Sequence, residues 1–275
     1  MSVKVYQIIT DRIIRQLEEG VVPWRKEWQA GLPKNLVSGK EYRGINLMLL
    51  AEANCEYFVT KKQVSSLGGR IRCKGYPVIY WNIIEKEDPE TGEIRSIPFL
   101  RYYRVYPVSG VEGIEDPECN NRDNPVDAAE QVIEGMPDRP VIEYGGDRAC
   151  YIPARDMIRL PARSSFYSIE GFYSTAFHEL VHSTGHASRL NRKGIAELEG
   201  YGTHSYSEEE LVAEMGAAFL SGHCGILNQT LENSAVYISH WIGALKADPK
   251  LIVQIGAQAQ KAVDYILGAT DKDPG

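Results

Sequence analysis

Apolar and polar residues alternate along the chain with two different periods. Near the N-terminus the apolar positions recur at three- and four-residue spacing, which predicts an amphipathic helix over Val3–Glu19 and a shorter one over Asn46–Ala53. Strand-like runs follow at Pro77–Glu85 and Ile97–Val108, and the turn sequence DPETG joins them. Helices mixed with strands in this order indicate an α+β first domain.

The stretch Gly110–Pro140 breaks this pattern because it is acidic, rich in proline and has one short helical pattern at Val126–Ile133. After it, an extended segment and four helices are predicted, at Ala149–Leu160, Phe172–Ser183, Glu208–Ser221, Ser234–Lys246 and Leu251–Leu267. The whole chain is therefore predicted to be α+β. Its expected parts are a first domain at residues 1–115, an acidic linker at 116–140 and a mainly helical domain with a small sheet at 141–275.

The composition narrows the class of protein. Hydrophobic residues make up 43% and charged residues 24% of the 275 positions, and no run of about 18 apolar residues could span a bilayer. The N-terminus lacks the long apolar stretch of a signal peptide, so a cytoplasmic location without a membrane role is expected. Five scattered cysteines, none in a CxxC pair, argue against a disulfide framework or a cysteine-bound zinc.

Charge is distributed unevenly along the chain. Residues 1–110 hold 17 Lys and Arg against 12 Asp and Glu, a net charge of +5, whereas residues 111–275 carry −12, which together give the net charge of −7. A basic first part on an acidic protein is typical of a localised face that binds a polyanion. An ordinary solvated surface without a ligand would give the same modest excess of basic residues.

The segment STAFHELVHSTGH contains the HExxH pattern. Residues four apart lie on one face of a helix, about 6 Å along its axis, so His178 and His182 can present imidazole nitrogens to one metal ion. Glu179 can then act as the general base toward a water molecule. Zn2+ is the expected metal, with Mn2+ or Co2+ as alternatives. The pattern predicts a metal-dependent hydrolase, most simply a zinc-dependent metallopeptidase.

A catalytic zinc needs a third protein ligand. His186 lies two helical turns, about 12 Å, from His178, and a metzincin-type third histidine would fall on Ser188. Glu210 and Glu214 share a helix face one turn apart and resemble the ExxxD pattern of gluzincins. Glu210 is therefore predicted as the ligand and Glu214 as the acid that orients a histidine, and the reverse assignment stays open.

Two further features could serve a peptidase. The segment RACYIPARDMIRLP could supply an edge strand that aligns an extended peptide by main-chain pairing. Tyr201, His204 and Tyr206 are candidates for stabilising a developing oxyanion, although such residues are more often on the surface or in packing contacts.

Aromatic and basic residues interleave in the first domain. Single-stranded nucleic acid is held by bases stacked on aromatic rings while Lys and Arg follow the phosphates. A core of aromatic residues under a charged surface would give the same composition. The candidate DNA-binding residues are Trp24, Arg25, Lys26, Trp28, Lys40, Tyr42, Arg43, Asn46, Lys61, Lys62, Gln63, Arg72 and Lys74, and the Tyr80–Trp81 pair continues the pattern.

Several of these motifs occur in a fixed order. PW..W, GK.YRGIN and T.KQ...LGG are followed by HELVHSTGH..RLNR and EELVAE..AAFL. This order, over about residues 3–268, resembles the ArdC antirestriction family. The resemblance implies an N-terminal single-stranded DNA-binding domain joined to a zincin-like metallopeptidase domain, in a protein of a plasmid or phage that shields incoming DNA from restriction. A restriction enzyme is one possible protein substrate.

Two other functions remain open at this point. The first is a protein that occludes DNA and whose metal site is structural or vestigial, without proteolysis. The second is a general peptidase without a role on DNA, which would show no salt-dependent DNA binding.

Overall fold

The structure is a computed structural model that describes residues 2–25, 31–87, 94–117, 124–196, 204–226 and 235–269. The helices are α1 Ser2–Glu18, α2 Ile45–Ala51, α3 Lys61–Ser66, α4 Pro125–Gly135, α5 Ile169–Thr184, α6 Lys193–Ala196, α7 His204–Cys224, α8 Ala235–Ala247 and α9 Leu251–Ile266. The strands are β1 Lys34–Asn35, β2 Tyr57–Thr60, β3 Arg70–Ile71, β4 Tyr76–Glu87, β5 Ile94–Pro107, β6 Val111–Glu112, β7 Val141–Tyr144, β8 Cys150–Ile152 and β9 Met157–Leu160. The predicted α+β class is confirmed.

The larger sheet of the N-terminal half has the strand order β1-β2-β5-β4, and β3 pairs with β6 in a separate two-stranded sheet. Strands β4 and β5 form a long antiparallel hairpin, from the pair Tyr76 and Val105 at its base to the pair Glu87 and Ile94. Strand β2 pairs with β5 only over Val105–Pro107 and its partners Phe58–Thr60. The greater part of the hairpin therefore extends beyond the rest of this sheet.

The C-terminal half contains a three-stranded sheet with the order β7-β9-β8. Strand β7 runs parallel to β9 and β8 runs antiparallel to it, so β8 lies at an edge. Both β8 and β9 fall inside the segment that was predicted to be extended. Helix α5 contacts both strands and packs closely against α7.

Helix α1 shows how the two halves meet. Its residues Val5, Ile9, Ile13 and Leu17 recur every fourth position and are buried together, as an amphipathic helix requires. They belong to one hydrophobic core that also contains residues of α5, α7 and α9, and α1 contacts α8 of the other half. The basic half is thus packed directly against the helices of the acidic half.

Residues 116–140, the expected linker, contain helix α4. Asn124 caps this helix by accepting a hydrogen bond from the backbone N–H of Asp127, and Pro125 occupies its first turn. Ala129 and Ile133 are buried in the shared core. Residues 118–123 lie outside the described residues, and the three-part division of the chain stays a prediction. No described helix is both long and apolar enough to cross a membrane.

Candidate metal centre

Two histidines of α5 form the base of a candidate metal site. The helix begins after Ser168, whose hydroxyl accepts a hydrogen bond from the backbone N–H of Gly171, and it ends before Gly185. His178 and His182 are one turn apart, and their Nε2 atoms lie 3.0 Å from each other. The spacing of the HExxH pattern therefore brings two imidazole nitrogens to one point.

Glu210 of α7 completes the cluster. Its Oε2 lies 3.5 Å from Nε2 of His178 and its Oε1 lies 3.5 Å from Nε2 of His182. Ligands around a tetrahedral ion with bonds of about 2.1 Å are separated by about 3.4 Å, so these three donors fit a small divalent cation. Among the described residues, this trio forms the group of ligand atoms close enough to hold a metal ion.

The electrostatics of the cluster favour a cation. Burial raises the pKa of Glu210, but hydrogen bonds and charge from the two histidines outweigh it and leave that pKa well below its ordinary value. Burial lowers the pKa of His182, yet Glu209 and Glu210 overcome this effect and raise it to about 10. The two carboxylates thus stabilise positive charge at this point, and a divalent ion satisfies the same preference.

Glu209, a residue that sequence reasoning missed, fixes the orientation of His182. Its Oε1 lies 3.2 Å from Nδ1 of His182, and a carboxylate only accepts, so Nδ1 carries the hydrogen and Nε2 is left for a metal. Arg192 donates to both oxygens of Glu209, at 2.6 and 2.8 Å. The Glu209 and Arg192 side chains are only 4% and 8% exposed. The signal was present in the run Ser207–Leu211, SEEEL, and in the RLNR motif, but spacing alone does not choose among adjacent glutamates.

Glu214 faces a different set of partners. Its carboxylate accepts hydrogen bonds from Nε1 of Trp24 at 3.0 Å, from the hydroxyl of Tyr237 at 2.5 Å and from Nη2 of Arg25 at 3.1 Å. The contacts with Trp24 and Arg25 connect the N-terminal half to α7 one turn beyond Glu210. The structure therefore places Glu209, rather than Glu214, beside a candidate ligand histidine.

The buried side chain of Glu179 contacts the edge strand. Its Oε2 accepts a hydrogen bond from the backbone N–H of Tyr151 in β8 at 2.7 Å. The candidate base and the candidate peptide-binding edge are thus in direct contact.

Arg189 ties that edge strand to the metal-site helix. It donates to the carbonyl of Ser183 at 2.8 Å, to Oδ2 of Asp156 at 3.0 Å and to the hydroxyl of Tyr151 at 3.3 Å. The two arginines of the RLNR motif therefore support neighbouring parts of the site. Arg192 holds the Glu209 that contacts the candidate ligand His182, and Arg189 holds β8.

Of the other candidates near the site, His186 is described and is separate from the cluster. Nδ1 of His186 lies 2.7 Å from the hydroxyl of Ser188, beyond the end of α5. Tyr201 lies outside the described residues, and so do the side chains of His204 and Tyr206.

The candidate DNA-binding residues fall into two groups. Trp24 is 1% exposed, and Arg25 is largely buried against Glu214, so neither presents its side chain to solvent here. Lys26 and Trp28 lie outside the described residues. The surface residues are Lys40, Lys61, Lys62, Arg72 and Lys74, which are exposed, and Tyr42 and Arg43, which are partly exposed.

Several polar candidates have structural partners. The side-chain amide of Asn46 donates to the carbonyl of Ile79 at 2.9 Å and accepts from its N–H at 2.8 Å, which fastens the start of α2 to β4. Gln63 forms a capping box with Thr60 at the start of α3. Arg72 pairs with Glu112 at 2.6 Å, and Arg43 pairs with Asp264.

The helix pair with its two histidines and one glutamate, beside a small sheet, defines a protein with a zincin-like centre. Residues 127–258 match a family described as a zincin-like metallopeptidase, MPTase-PolyVal, and residues 3–106 match the N-terminal domain of anti-restriction factor ArdC. The metal-free crystal structure of the antirestriction protein ArdC from plasmid R388 is 35% identical and superposes with a TM-score of 0.79, covering 96% of this chain and 97% of that one. The chain belongs to the ArdC antirestriction family.

A Mn(II)-bound structure of the same R388 protein is also similar, with a TM-score of 0.76 over 98% of this chain and 99% of that one. Together with the donor set, this likeness indicates a divalent metal. DNA primase TraC of Escherichia coli is 32% identical over 97% of this chain, which spans only 20% of the primase. The uncharacterized protein y4eC of Sinorhizobium fredii is 28% identical over 95% of this chain and 91% of that protein.

Proposed function

We propose that this protein binds single-stranded DNA with its basic N-terminal half and hydrolyses a peptide bond at the HExxH centre. The protein substrate would be one that acts on the bound DNA, such as a restriction enzyme of the host cell. In this proposal the chain belongs to a plasmid or phage and works in the cytoplasm. Residues 1–115 supply DNA binding, and residues 141–275 supply the metal centre.

The observation that carries the proposal is the grouping of His178, His182 and Glu210 beside Glu179. Three protein ligands leave a tetrahedral ion one open position, as in catalytic rather than structural zinc sites. Zn2+ is the proposed native ion because two imidazoles and a carboxylate suit it, and Mn2+ or Co2+ would fit the same donors. A bound ion supplies Lewis acidity that polarises a carbonyl and makes water more acidic.

The chain's own residues supply the other steps. Glu179 accepts the proton of the attacking water and returns it to the amine that leaves when the peptide C–N bond breaks. An extended substrate would align by main-chain hydrogen bonds along the edge strand β8. Because the N–H of Tyr151 belongs to this edge, substrate and Glu179 meet at the same strand.

The charge distribution supports DNA binding by the other half. Residues 1–110 carry a net charge of +5, and Lys40, Lys61, Lys62 and Lys74 are exposed there. Exposed cations release counterions when they bind phosphates, which makes affinity fall steeply with salt. A fluorescence anisotropy titration with a labelled oligothymidylate, at several salt concentrations, tests this half of the proposal.

A second function is supported by a specific contact. The amide of Tyr151 already holds the carboxylate of Glu179, which gives this residue a structural role without catalysis. In this alternative, the protein protects DNA by occluding it, and the metal only stabilises the fold.

The variant Glu179→Gln distinguishes the two functions. It keeps the shape of the side chain and the three metal ligands, so metal content should be unchanged, while cleavage of a fluorogenic peptide library should fall by about a thousandfold or more because the base is lost. Glu170→Gln, on the first turn of the same helix, is the matched control.

Protection of a transferred plasmid in a restricting host is the second measurement. If peptide hydrolysis is needed, Glu179→Gln should lose protection together with cleavage. Protection that persists after cleavage is abolished would reject the proteolytic mechanism and favour occlusion.

A further inference from the structure

We propose that the β4–β5 hairpin carries a base-stacking platform for single-stranded DNA, formed by Tyr80, Arg101 and Tyr103. This inference rests on the proposed DNA binding and deepens it by assigning a site. Arg101 and Tyr103 come from β5, a strand whose residues were not among the candidate DNA-binding residues.

The strand register places the three side chains on one face. Tyr80 is directly opposite Arg101, and Val78 is directly opposite Tyr103. Residues that face each other across an antiparallel pair share a side of the sheet, so Tyr80 and Tyr103 are diagonal neighbours about 7–8 Å apart. At this separation, two consecutive unpaired bases can each stack on one of the two rings.

The solvent exposure of this face increases from the base of the hairpin outward. At its base, Val78 and Val105 are fully buried with Leu50 and Phe58 in a small apolar cluster. Farther out, Tyr80 and Tyr103 are 38% and 41% exposed. Two large aromatic rings are thus partly exposed to solvent on a hydrogen-bonded strand pair, immediately next to its packed base.

The charge near the base of the hairpin is complementary to phosphate. Side chains are described for residues 76–80 and 100–107, and the charged ones among them are Arg101 and Arg104. These stretches contain no carboxylate, although the protein as a whole has a net charge of −7. Aromatic faces combined with exposed arginines are typical of surfaces that stack bases and track a nucleic-acid backbone.

The platform continues into the surface loop that was predicted to bind DNA. The two hydrogen bonds between Asn46 and Ile79 hold the start of α2, which directly follows this loop, against β4. Tyr42 packs against the apolar cluster that contains Val78 and Val105. Burial raises the pKa of Tyr42, and Tyr103 raises it further. Single-stranded DNA whose bases stack on Tyr80 and Tyr103 would therefore reach Tyr42 and the adjacent residues Lys40 and Arg43.

The test uses the full chain and a fluorescein-labelled oligothymidylate in an anisotropy titration. Tyr80→Leu and Tyr103→Leu should each weaken binding by about tenfold, because a leucine keeps apolar bulk but offers no ring for stacking. Tyr80→Phe and Tyr103→Phe keep the ring and should stay within about twofold of the unchanged protein. Binding to a duplex of the same length should be affected far less, since its bases are already stacked.

The neighbouring residue Tyr102 is the matched control. It is 44% exposed and lies on the opposite face of the same strand, so Tyr102→Leu should leave binding unchanged. Arg101→Gln should lower the slope of log affinity against log salt concentration by about one unit. Arg139 is exposed in the other half, and Arg139→Gln should leave this slope unchanged.

Four results would overturn the platform. The first is unchanged oligothymidylate binding in both leucine variants while the unmodified protein binds, which leaves the broader DNA-binding proposal intact. The second is an equal loss of DNA affinity in Tyr102→Leu, which would show that binding does not depend on the face that carries Tyr80 and Tyr103. The third is a change in sedimentation without a change in DNA affinity, which would assign the face to contact with a second copy of the chain. The fourth, no binding by the unmodified protein, would overturn the DNA-binding proposal as well.

Discussion

The metal centre and the β4–β5 hairpin place their charged groups in opposite surroundings. Around the metal centre, Glu209 and Arg192 are buried and each has a charged partner at hydrogen-bond distance. On the hairpin, Arg101 and Arg104 are exposed, beside tyrosines that also face solvent. Removing a charge should therefore destabilise the first region strongly, whereas in the second region it should alter binding and leave the fold intact.

The largest effect is expected for Glu209→Ala. This change leaves the guanidinium of Arg192 buried without its carboxylate partner, which costs on the order of 3–5 kcal/mol in the free energy of unfolding. The measurement is denaturant unfolding of the metal-free protein. A loss below about 1 kcal/mol would show that water reaches Arg192 and would remove the contrast between the two regions.

Two further variants separate the support of the fold from the support of the ligand. The double variant Glu209→Leu with Arg192→Met removes both charges and should recover much of the stability, since no buried charge is left alone. Glu209→Gln keeps the shape but weakens the hold on Nδ1 of His182, and metal affinity should fall about 10- to 100-fold. Unchanged affinity would show that His182 needs no orienting partner.

The next effect concerns the two glutamates one turn apart on α7. Glu214→Gln weakens the contacts with Arg25, Trp24 and Tyr237, so the free energy of unfolding should fall by about 2 kcal/mol while metal affinity stays within about twofold. Glu210→Gln should instead lower metal affinity strongly and change the free energy of unfolding little, because it removes a candidate ligand from a partly exposed cluster. Unfolding curves and metal titration of both variants make the comparison.

Each of these variants is the control of the other. If Glu214→Gln lost the metal and Glu210→Gln kept it, the reverse ligand assignment that the sequence left open would be correct. If both lost the metal, α7 would position its ligand through the contact with the N-terminal half.

The part of the metal site that could be predicted depends on local geometry. His178 and His182 come together because one helical turn separates them, and a pattern four residues long contains that information. The choice between Glu209 and Glu214 as the orienting acid depends on where Arg192 and Arg25 lie in the folded chain. Those contacts join distant segments, so spacing within one helix could not decide them.

The long elements of the fold were predicted for the same reason, and the short ones were missed. Amphipathic periodicity marks α1 and α9 over several turns, whereas β1, β3 and β6 each have two residues and leave no periodic signal. The aromatic and basic composition around Trp24 did not distinguish core from surface. Trp24 is in the core because α7 offers a carboxylate to its indole N–H.

A smaller effect is expected at the support of the edge strand. Hydrogen bonds from Arg189 lower the pKa of Asp156 below its unfolded value of about 3.9, so the ionised form stabilises the fold above that pH and the contribution is lost as pH falls through the lowered pKa. Asp156→Asn should therefore cost about 1 kcal/mol at pH 7, because the carboxylate is partly exposed to solvent.

The pH dependence gives this prediction its test. Unfolding measured at pH 7 and near pH 3 should show that the difference between Asp156→Asn and the unmodified protein shrinks in acid. Asparagine tolerates the left-handed backbone at this position, φ 46°, so backbone strain does not confuse the result. Asp147 lies in the exposed turn before β8, and Asp147→Asn should leave the free energy of unfolding unchanged at both pH values. A difference that stays constant with pH would attribute the loss to packing.

The smallest effect on stability is expected for the hairpin, in contrast to the metal centre. Tyr80→Leu and Tyr103→Leu, made together, should change the free energy of unfolding by less than about 0.5 kcal/mol, because both rings are substantially exposed. A loss of 2 kcal/mol or more would mean that the rings support the fold, and weakened DNA binding would then follow from local unfolding. A neutral result, measured beside a large loss for Glu209→Ala, would show that the protein keeps its buried charges for the fold and the metal and leaves its exposed rings free for a ligand.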